Sequence, residues 1–156
     1  MPEPEKTGAA EGEPAVETLK KKGAAAFTEG RFQDSLDGYE KALELEPGDA
    51  IAWHGKGMAL LKLDRPREAL AACDRAIELD PKMPSAWRDR ANALAKLGRK
   101  DEALKAFDTS IDLVTREAMK DLGKGMFLGS FLGRRKGSKT TDEWPYGPRK
   151  PKEKKD

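Results

Sequence analysis

The sequence has almost none of the residues from which disulfides and metal sites are built. Its 156 residues include one cysteine, Cys73, and one histidine, His54. A single cysteine excludes a disulfide within the chain, and one histidine with one cysteine excludes a Cys/His zinc cluster. We therefore expect no metal and no other cofactor, and we expect a cytoplasmic protein, because disulfides mark oxidising compartments.

Long apolar runs and targeting signals are also missing. The most apolar stretch near the C-terminus, residues 125–133, is far shorter than the ~20 residues that a membrane-spanning helix needs. The N-terminus has no basic segment followed by an apolar run, so no secretory signal is predicted. Charged residues make up 37% of the chain but leave a net charge of only +2. The overall charge therefore gives no argument for nucleic-acid binding.

Catalytic motifs are absent as well. The glycines at 125, 129 and 133 lack the Lys-Ser/Thr ending of a phosphate-binding loop and follow no predicted strand. Cys73 lies 34 residues from both Tyr39 and Phe107, in a column of large apolar residues, which favours a buried, inert thiol over a nucleophile. The chain is therefore predicted not to be an enzyme.

A 34-residue period organises the chain. Trp53 and Trp87 are 34 residues apart, and so are Pro47 and Pro81. Superposing residues 16–49, 50–83 and 84–117 aligns small residues with small ones and large apolar residues with large apolar ones. The apolar positions within each repeat follow helical spacing, which predicts two helices per repeat. Residues suited to a turn recur where the first helix of each repeat should end: Gly30, Asp64 and Gly98.

The run Ala52-Trp53…Gly57…Leu60…Ala69-Leu70…Ala76…Leu79-Asp80-Pro81 resembles a tetratricopeptide (TPR) repeat, and the resemblance extends from residue 16 to about 115. It implies an all-α fold, a right-handed α-solenoid of three helix-turn-helix repeats. It also implies a non-catalytic adaptor or scaffold that binds a segment of a partner protein in a concave groove. Thr115 replaces the proline of the other repeats, so the last helix is expected to continue toward Leu122. Basic residues occupy a usually apolar column, and their aliphatic stems are expected to cover the core: Lys22, Lys56 and Arg90.

The domain organisation follows from the repeats. Residues 1–14 are predicted to form a disordered acidic tail and residues 15–117 the TPR domain. Residues 118–133 are a candidate capping segment, because a solenoid must cover its last apolar face. The alternatives for residues 124–133 are that they fill the groove or bind in trans. Residues 134–156, basic and proline-containing, are predicted to be a disordered tail.

The first helix of each repeat lines the groove of a TPR stack, which nominates the partner-binding residues. The nominated positions combine an apolar strip with a basic rim, so the expected partner carries acidic residues beside an apolar anchor. They are Lys20, Phe27, Ile51, His54, Met58, Leu61, Lys62, Arg88, Asn92 and Lys96.

Two further possibilities can be weighed from the residues. TPR adaptors that hold the C-terminal carboxylate of heat-shock chaperones use a clamp of Lys and Asn on the first repeat, Asn on the second, and Lys and Arg on the third. Lys20 matches the first of these positions, but the others hold Ala24, Gly55, Ser85 and Asp89, so this sub-family is not matched.

The alternative function places the activity in the basic tail, with the repeats as a display or oligomerisation module. The tail would then meet nucleic acid or an acidic surface, with aromatic side chains available to stack on bases. The residues concerned are Arg134, Arg135, Lys136, Arg149, Lys150, Lys152, Lys154, Lys155, Trp144 and Tyr146.

Overall fold

Three helical hairpins make up the part of the protein that the computed structural model describes, residues 12–123. Each repeat contributes two consecutive antiparallel helices, and no strand occurs within these residues. The helices are α1 Gly12–Thr28, α2 Phe32–Leu45, α3 Ala50–Lys62, α4 Pro66–Leu79, α5 Pro84–Lys96 and α6 Lys100–Gly123. The predicted all-α solenoid of three repeats is confirmed.

The first helix of each repeat ends in the same left-handed turn. Gly30 and Gly98 have φ angles of 78° and 79°, and Asp64, at the equivalent position, has a φ of 57°. The next residue donates its backbone N–H across the turn, as Arg31 does to the oxygen of Ala26 at 2.8 Å. These contacts satisfy carbonyls that would otherwise lose their partners at the helix end.

The core consists of small residues that bring helices close together and leucines that fill the remaining space. Ala59 and Ala69 are fully buried, and Leu60 is 1% exposed. Leu36 of the first repeat belongs to the same cluster as these residues of the second repeat. The apolar core therefore runs from one repeat into the next, as expected of a stack held by nearest-neighbour contacts.

Two of the three residues in the basic column lie over the apolar surface as the sequence predicts, whereas the third, Lys22, is exposed. The ammonium group of Lys56 is 5.4 Å from the centre of the Trp53 ring, and the guanidinium of Arg90 is 5.8 Å from that of Trp87. Arg90 also donates to Asp74 at 2.6 Å. The charged ends lie over the tryptophan rings, and that of Arg90 also reaches a carboxylate on the second helix of the preceding repeat.

The helical region begins earlier than predicted, whereas its C-terminal end agrees with the prediction. α1 begins at Gly12, so residues 12–14, assigned to the tail, are helical; Pro14 is tolerated there because the first turn needs no donor from it. α6 continues past Thr115 to Gly123, as predicted from the missing proline. Contacts divide the chain after Glu117, so residues 118–123 fall in a second unit. The rest of the candidate capping segment and both predicted tails lie outside the described residues.

Candidate functional site: the groove of the first helices

The first helices of the three repeats, α1, α3 and α5, line a hollow of about 750 Å³. Its wall brings together seven of the ten residues that the sequence nominates. Those seven are Phe27, Met58, Leu61, Lys62, Arg88, Asn92 and Lys96, and Asp89 and Ala95 complete the lining.

The apolar part of the hollow comes from the first two repeats. The ring of Phe27 packs edge-to-face on Phe32, with ring centres 5.4 Å apart, which fixes its orientation. Met58 and Leu61 are half-buried on α3, and Leu61 packs against the core cluster behind it. These three side chains have apolar surface left over after the core is filled, which is the property of a binding surface.

Basic side chains line the other part of the hollow. The side chain of Arg88 is 57% exposed and meets Asp89 only at 3.5 Å. Lys96 donates to Asp64 at 3.0 Å, but that carboxylate is almost fully in solvent, so the pair is weak. Lys62 is exposed and has no ion-pair partner among the described residues. The hollow can therefore accept an anionic group without first losing a strong internal pair.

A buried carboxylate lies at the wall of the hollow, and the sequence did not nominate it as a groove residue. The side chain of Asp89 is 7% exposed, and its Oδ2 lies 2.8 Å from Nε2 of His54. Its Oδ1 has only long contacts, at 3.5 Å, with Arg88 and Asn92. His54 is thus engaged between repeats two and three instead of facing a ligand. In the sequence, the position of Asp89 in a column of the chaperone clamp is the signal that indicates a carboxylate in the groove.

The remaining nominated residues lie apart from the main hollow. Lys20 and Ile51 border a smaller depression of about 210 Å³ beside Tyr39. Lys20 donates to Asp49 at 2.6 Å and lies 3.2 Å from Glu17. The hydrogen bond to Asp49 outweighs burial and raises the pKa of Lys20. Lys20 is therefore a charged structural tie between repeats one and two.

The single cysteine lies in the core. Cys73 is fully buried, and burial raises the pKa of its thiol to about 12. A thiol that stays protonated at neutral pH is not an activated nucleophile. Among residues 12–123, no group of three or more metal-binding side chains comes together. None of the helices described is long and apolar enough to cross a bilayer.

Comparison with known proteins identifies the family. The tetratricopeptide repeat model matches residues 20–84 and 54–118, which together cover more than half of the chain. The chain therefore belongs to the tetratricopeptide repeat family, a class of protein-interaction modules. It matches no curated protein sequence.

Solved structures with the same fold include domains bound to peptides. The second TPR domain of human RPAP3, in complex with the HSP70 peptide SGPTIEEVD, is 27% identical with a TM-score of 0.64; the match covers 72% of this chain and 96% of that one. The TPR2B domain of yeast Sti1 in an Hsp70 complex is 27% identical, with a TM-score of 0.62 and coverages of 64% and 80%. The TPR domain of Arabidopsis OM64 is 27% identical, with a TM-score of 0.64 and coverages of 65% and 84%.

Proposed function

We propose that this protein is a non-catalytic cytoplasmic adaptor that binds a partner segment in the hollow between its first helices. The observation that carries the proposal is the close combination of Phe27, Met58 and Leu61 with three exposed cations. An apolar anchor of the partner would enter between the three apolar side chains. Acidic residues beside the anchor would meet Lys62, Arg88 and Lys96.

The peptide bound by one of the structural neighbours has this chemistry. The RPAP3 ligand SGPTIEEVD carries acidic residues next to isoleucine and valine. In the present chain, however, the chaperone-clamp pattern is broken by the carboxylate of Asp89, which is buried and paired with His54. A terminal carboxylate placed against Asp89 would be repelled. We therefore propose recognition of an acidic–apolar segment without a clamp on its free C-terminus.

Affinity capture with the full-length protein tests the groove assignment. We expect Met58→Glu/Leu61→Glu to lose partners that the wild type retains, because both charges would enter the apolar part of the hollow. Leu45→Glu/Leu79→Glu is the matched control, because these leucines are exposed outside the hollow. It should retain the partners.

A second variant, Lys62→Glu/Lys96→Glu, tests the basic rim without touching the apolar floor. It should lose the same partners, and more completely at low ionic strength, where charge repulsion is least screened. Circular dichroism establishes that each variant is folded. Unchanged recovery with both groove variants would show that partners bind elsewhere.

A further inference from the structure

The last repeat has a row of exposed apolar side chains at positions that are buried in the first repeat. Leu36 is 2% exposed, whereas Leu104, two repeats later, is 61% exposed. Leu43 is 8% exposed, whereas Ile111, in the equivalent position, is 59% exposed. Val114, one turn beyond Ile111, is also exposed, although the equivalent residue of the first repeat is the exposed Glu46. We call Leu104, Ile111 and Val114 the α6 face.

The equivalent residues show what kind of element covers this face. Leu36 clusters with Ala59 and Leu60 of α3, and Leu43 clusters with Ala52 of the same helix. In both cases the covering element is the first helix of the following repeat. Within the described chain no helix follows α6, so the same apolar positions stay in solvent. The missing occupant is therefore expected to be an α-helix.

Four charged residues beside the α6 face indicate which helix fits. Asp101, Lys105, Asp112 and Arg116 are spaced by four, seven and four residues, which places them along one edge of the helix. Their signs alternate along the chain. All four are exposed, and none has an ion-pair partner among the described residues.

The alternating charges on α6 complement those of a second copy of α6 that runs in the opposite direction. If two α6 helices lie antiparallel, centred between residues 108 and 109, Asp101 of one copy is level with Arg116 of the other. Lys105 is then level with Asp112 of the second copy. The two-fold axis repeats both pairs, which gives four opposite-charge contacts along one edge. Asp108 lies next to the axis, with Lys105 one turn away on the same helix.

The same arrangement also matches the apolar residues. Leu104 and Ile111 are two turns apart, and Val114 lies one turn beyond Ile111. In an antiparallel pair Leu104 comes close to Val114 of the second copy. Ile111 comes close to Phe107 of the second copy, a half-buried side chain that packs on the core of the last repeat. The two faces are identical, so a two-fold contact covers both at once and leaves no open end for further assembly.

We propose that the α6 face is a dimerisation surface, and that its occupant is α6 of a second copy in antiparallel orientation. The dimer has alternating charge pairs along one edge and apolar contacts beside them. This inference concerns a surface other than the groove and does not depend on the proposed function.

Analytical ultracentrifugation of the full-length protein tests the dimer. The apparent mass should rise with concentration from 17.2 kDa for one chain toward twice that value. Ile111→Glu should keep the mass at that of one chain. Leu45→Glu is the matched control, because Leu45 is 57% exposed and lies on α2. It should dimerise like the wild type.

Charge exchange tests the antiparallel register. Lys105→Asp and Asp112→Lys each place like charges opposite one another twice, so each alone should weaken dimerisation by about tenfold or more. The double variant Lys105→Asp/Asp112→Lys restores opposite charges and should recover wild-type association to within about threefold. The two positions are seven residues apart on one helix, so recovery would report pairing between chains.

Three results would overturn the proposal. The first is a wild-type protein that keeps the mass of one chain at every concentration, which would mean that another segment or another protein covers the α6 face. The second is an Ile111→Glu variant, folded by circular dichroism, that dimerises as well as the wild type. The third is a double charge variant that associates no better than the single ones.

Discussion

Single residues set how closely the repeats approach, and Tyr39 is the clearest case. Its ring is 5% exposed and lies between Gly23 of α1 and Gly55 of α3. A Cβ atom on Gly23 would lie 3.1 Å from the ring, and one on Gly55 would overlap it. The two glycines therefore make room for one aromatic side chain at the junction of repeats one and two. Burial also raises the pKa of the Tyr39 hydroxyl.

The first prediction concerns Gly55. Alanine is favoured over glycine inside a helix by ~1 kcal/mol. If there were free space beside Gly55, Gly55→Ala would therefore stabilise the protein. Here the overlap with Tyr39 should dominate and lower the free energy of unfolding by about 1–3 kcal/mol. Urea unfolding measures the change. Gly48→Ala is the control, because a Cβ there has no atom within 4 Å, and it should change stability by less than about 0.5 kcal/mol. Equal stability of the two variants would contradict the packing described.

At the scale of the element, α3 is held at its start by a carboxylate that also ties it to α1. Asp49 Oδ1 accepts from the backbone N–H of Ala52 at 3.0 Å, and its Oδ2 accepts from Lys20 at 2.6 Å. Burial opposes ionisation of Asp49, but the bonds from Lys20 and Ala52 outweigh it and lower its pKa. One side chain thus caps a helix and links two repeats.

The second prediction separates these two roles. Asp49→Ala removes both the cap and the link and should cost about 1–2 kcal/mol of unfolding free energy. Asp49→Asn keeps an oxygen to cap α3 and should cost less. Because the native pKa of Asp49 is lowered, its ionic contribution is present above the ordinary value of 3.8 and is lost as the pH falls below it. Thermal unfolding at several pH values should show the wild type and Asp49→Asn converging in acid.

At the scale of the whole molecule, stability depends on contacts between neighbouring repeats, so position in the stack matters. Trp53 and Trp87 are equivalent by repeat, and each indole donates to a proline carbonyl, of Pro47 at 2.8 Å and of Pro81 at 2.9 Å. Trp53, in the middle repeat, packs against two core clusters. Trp87, in the last repeat, packs against one.

The third prediction uses this internal comparison. Deleting a buried aromatic side chain costs about 3–5 kcal/mol, and both tryptophans are half-buried, so each alanine variant should cost somewhat less. Trp53→Ala should lower the free energy of unfolding more than Trp87→Ala, by about 1 kcal/mol or more. Denaturant titration of both variants measures the difference. A larger loss of unfolding free energy in Trp87→Ala would show that the contacts of the middle repeat do not contribute most to stability.

Much of the fold was predictable because it is local. The 34-residue period, the spacing of apolar residues within each repeat and the turn residues Gly30, Asp64 and Gly98 indicated six helices. The left-handed backbone at those three positions agrees with that expectation. The sequence predicts the start of α1 too late, because Pro14 ends a segment rich in proline and glutamate that is typical of a disordered tail. A helix nevertheless accepts proline in its first turn.

The sequence predicts which positions line the groove, but it does not predict which basic side chains there are paired within the protein. Repeat position indicated which side chains line the first helices, and seven of the ten nominated residues share the hollow. The pairing of His54 with Asp89 was not predicted, since the two residues are 35 positions apart and belong to different repeats. The contact forms only when the two repeats stack, so no pattern of neighbouring residues in the sequence indicates it.

The sequence by itself determined that this protein is a stack of three TPR repeats, because helix formation, turn chemistry and the size of packing residues repeat within each 34-residue unit. Only the tertiary structure decided which basic side chains remain available to a partner. Lys20, His54 and Arg88 occupy the same column of the repeat, yet Asp49 holds the first, Asp89 holds the second, and the third stays exposed. The reason is that Asp49 lies at the start of another helix and Asp89 lies in another repeat, so stacking alone sets the distances of these carboxylates from Lys20 and His54.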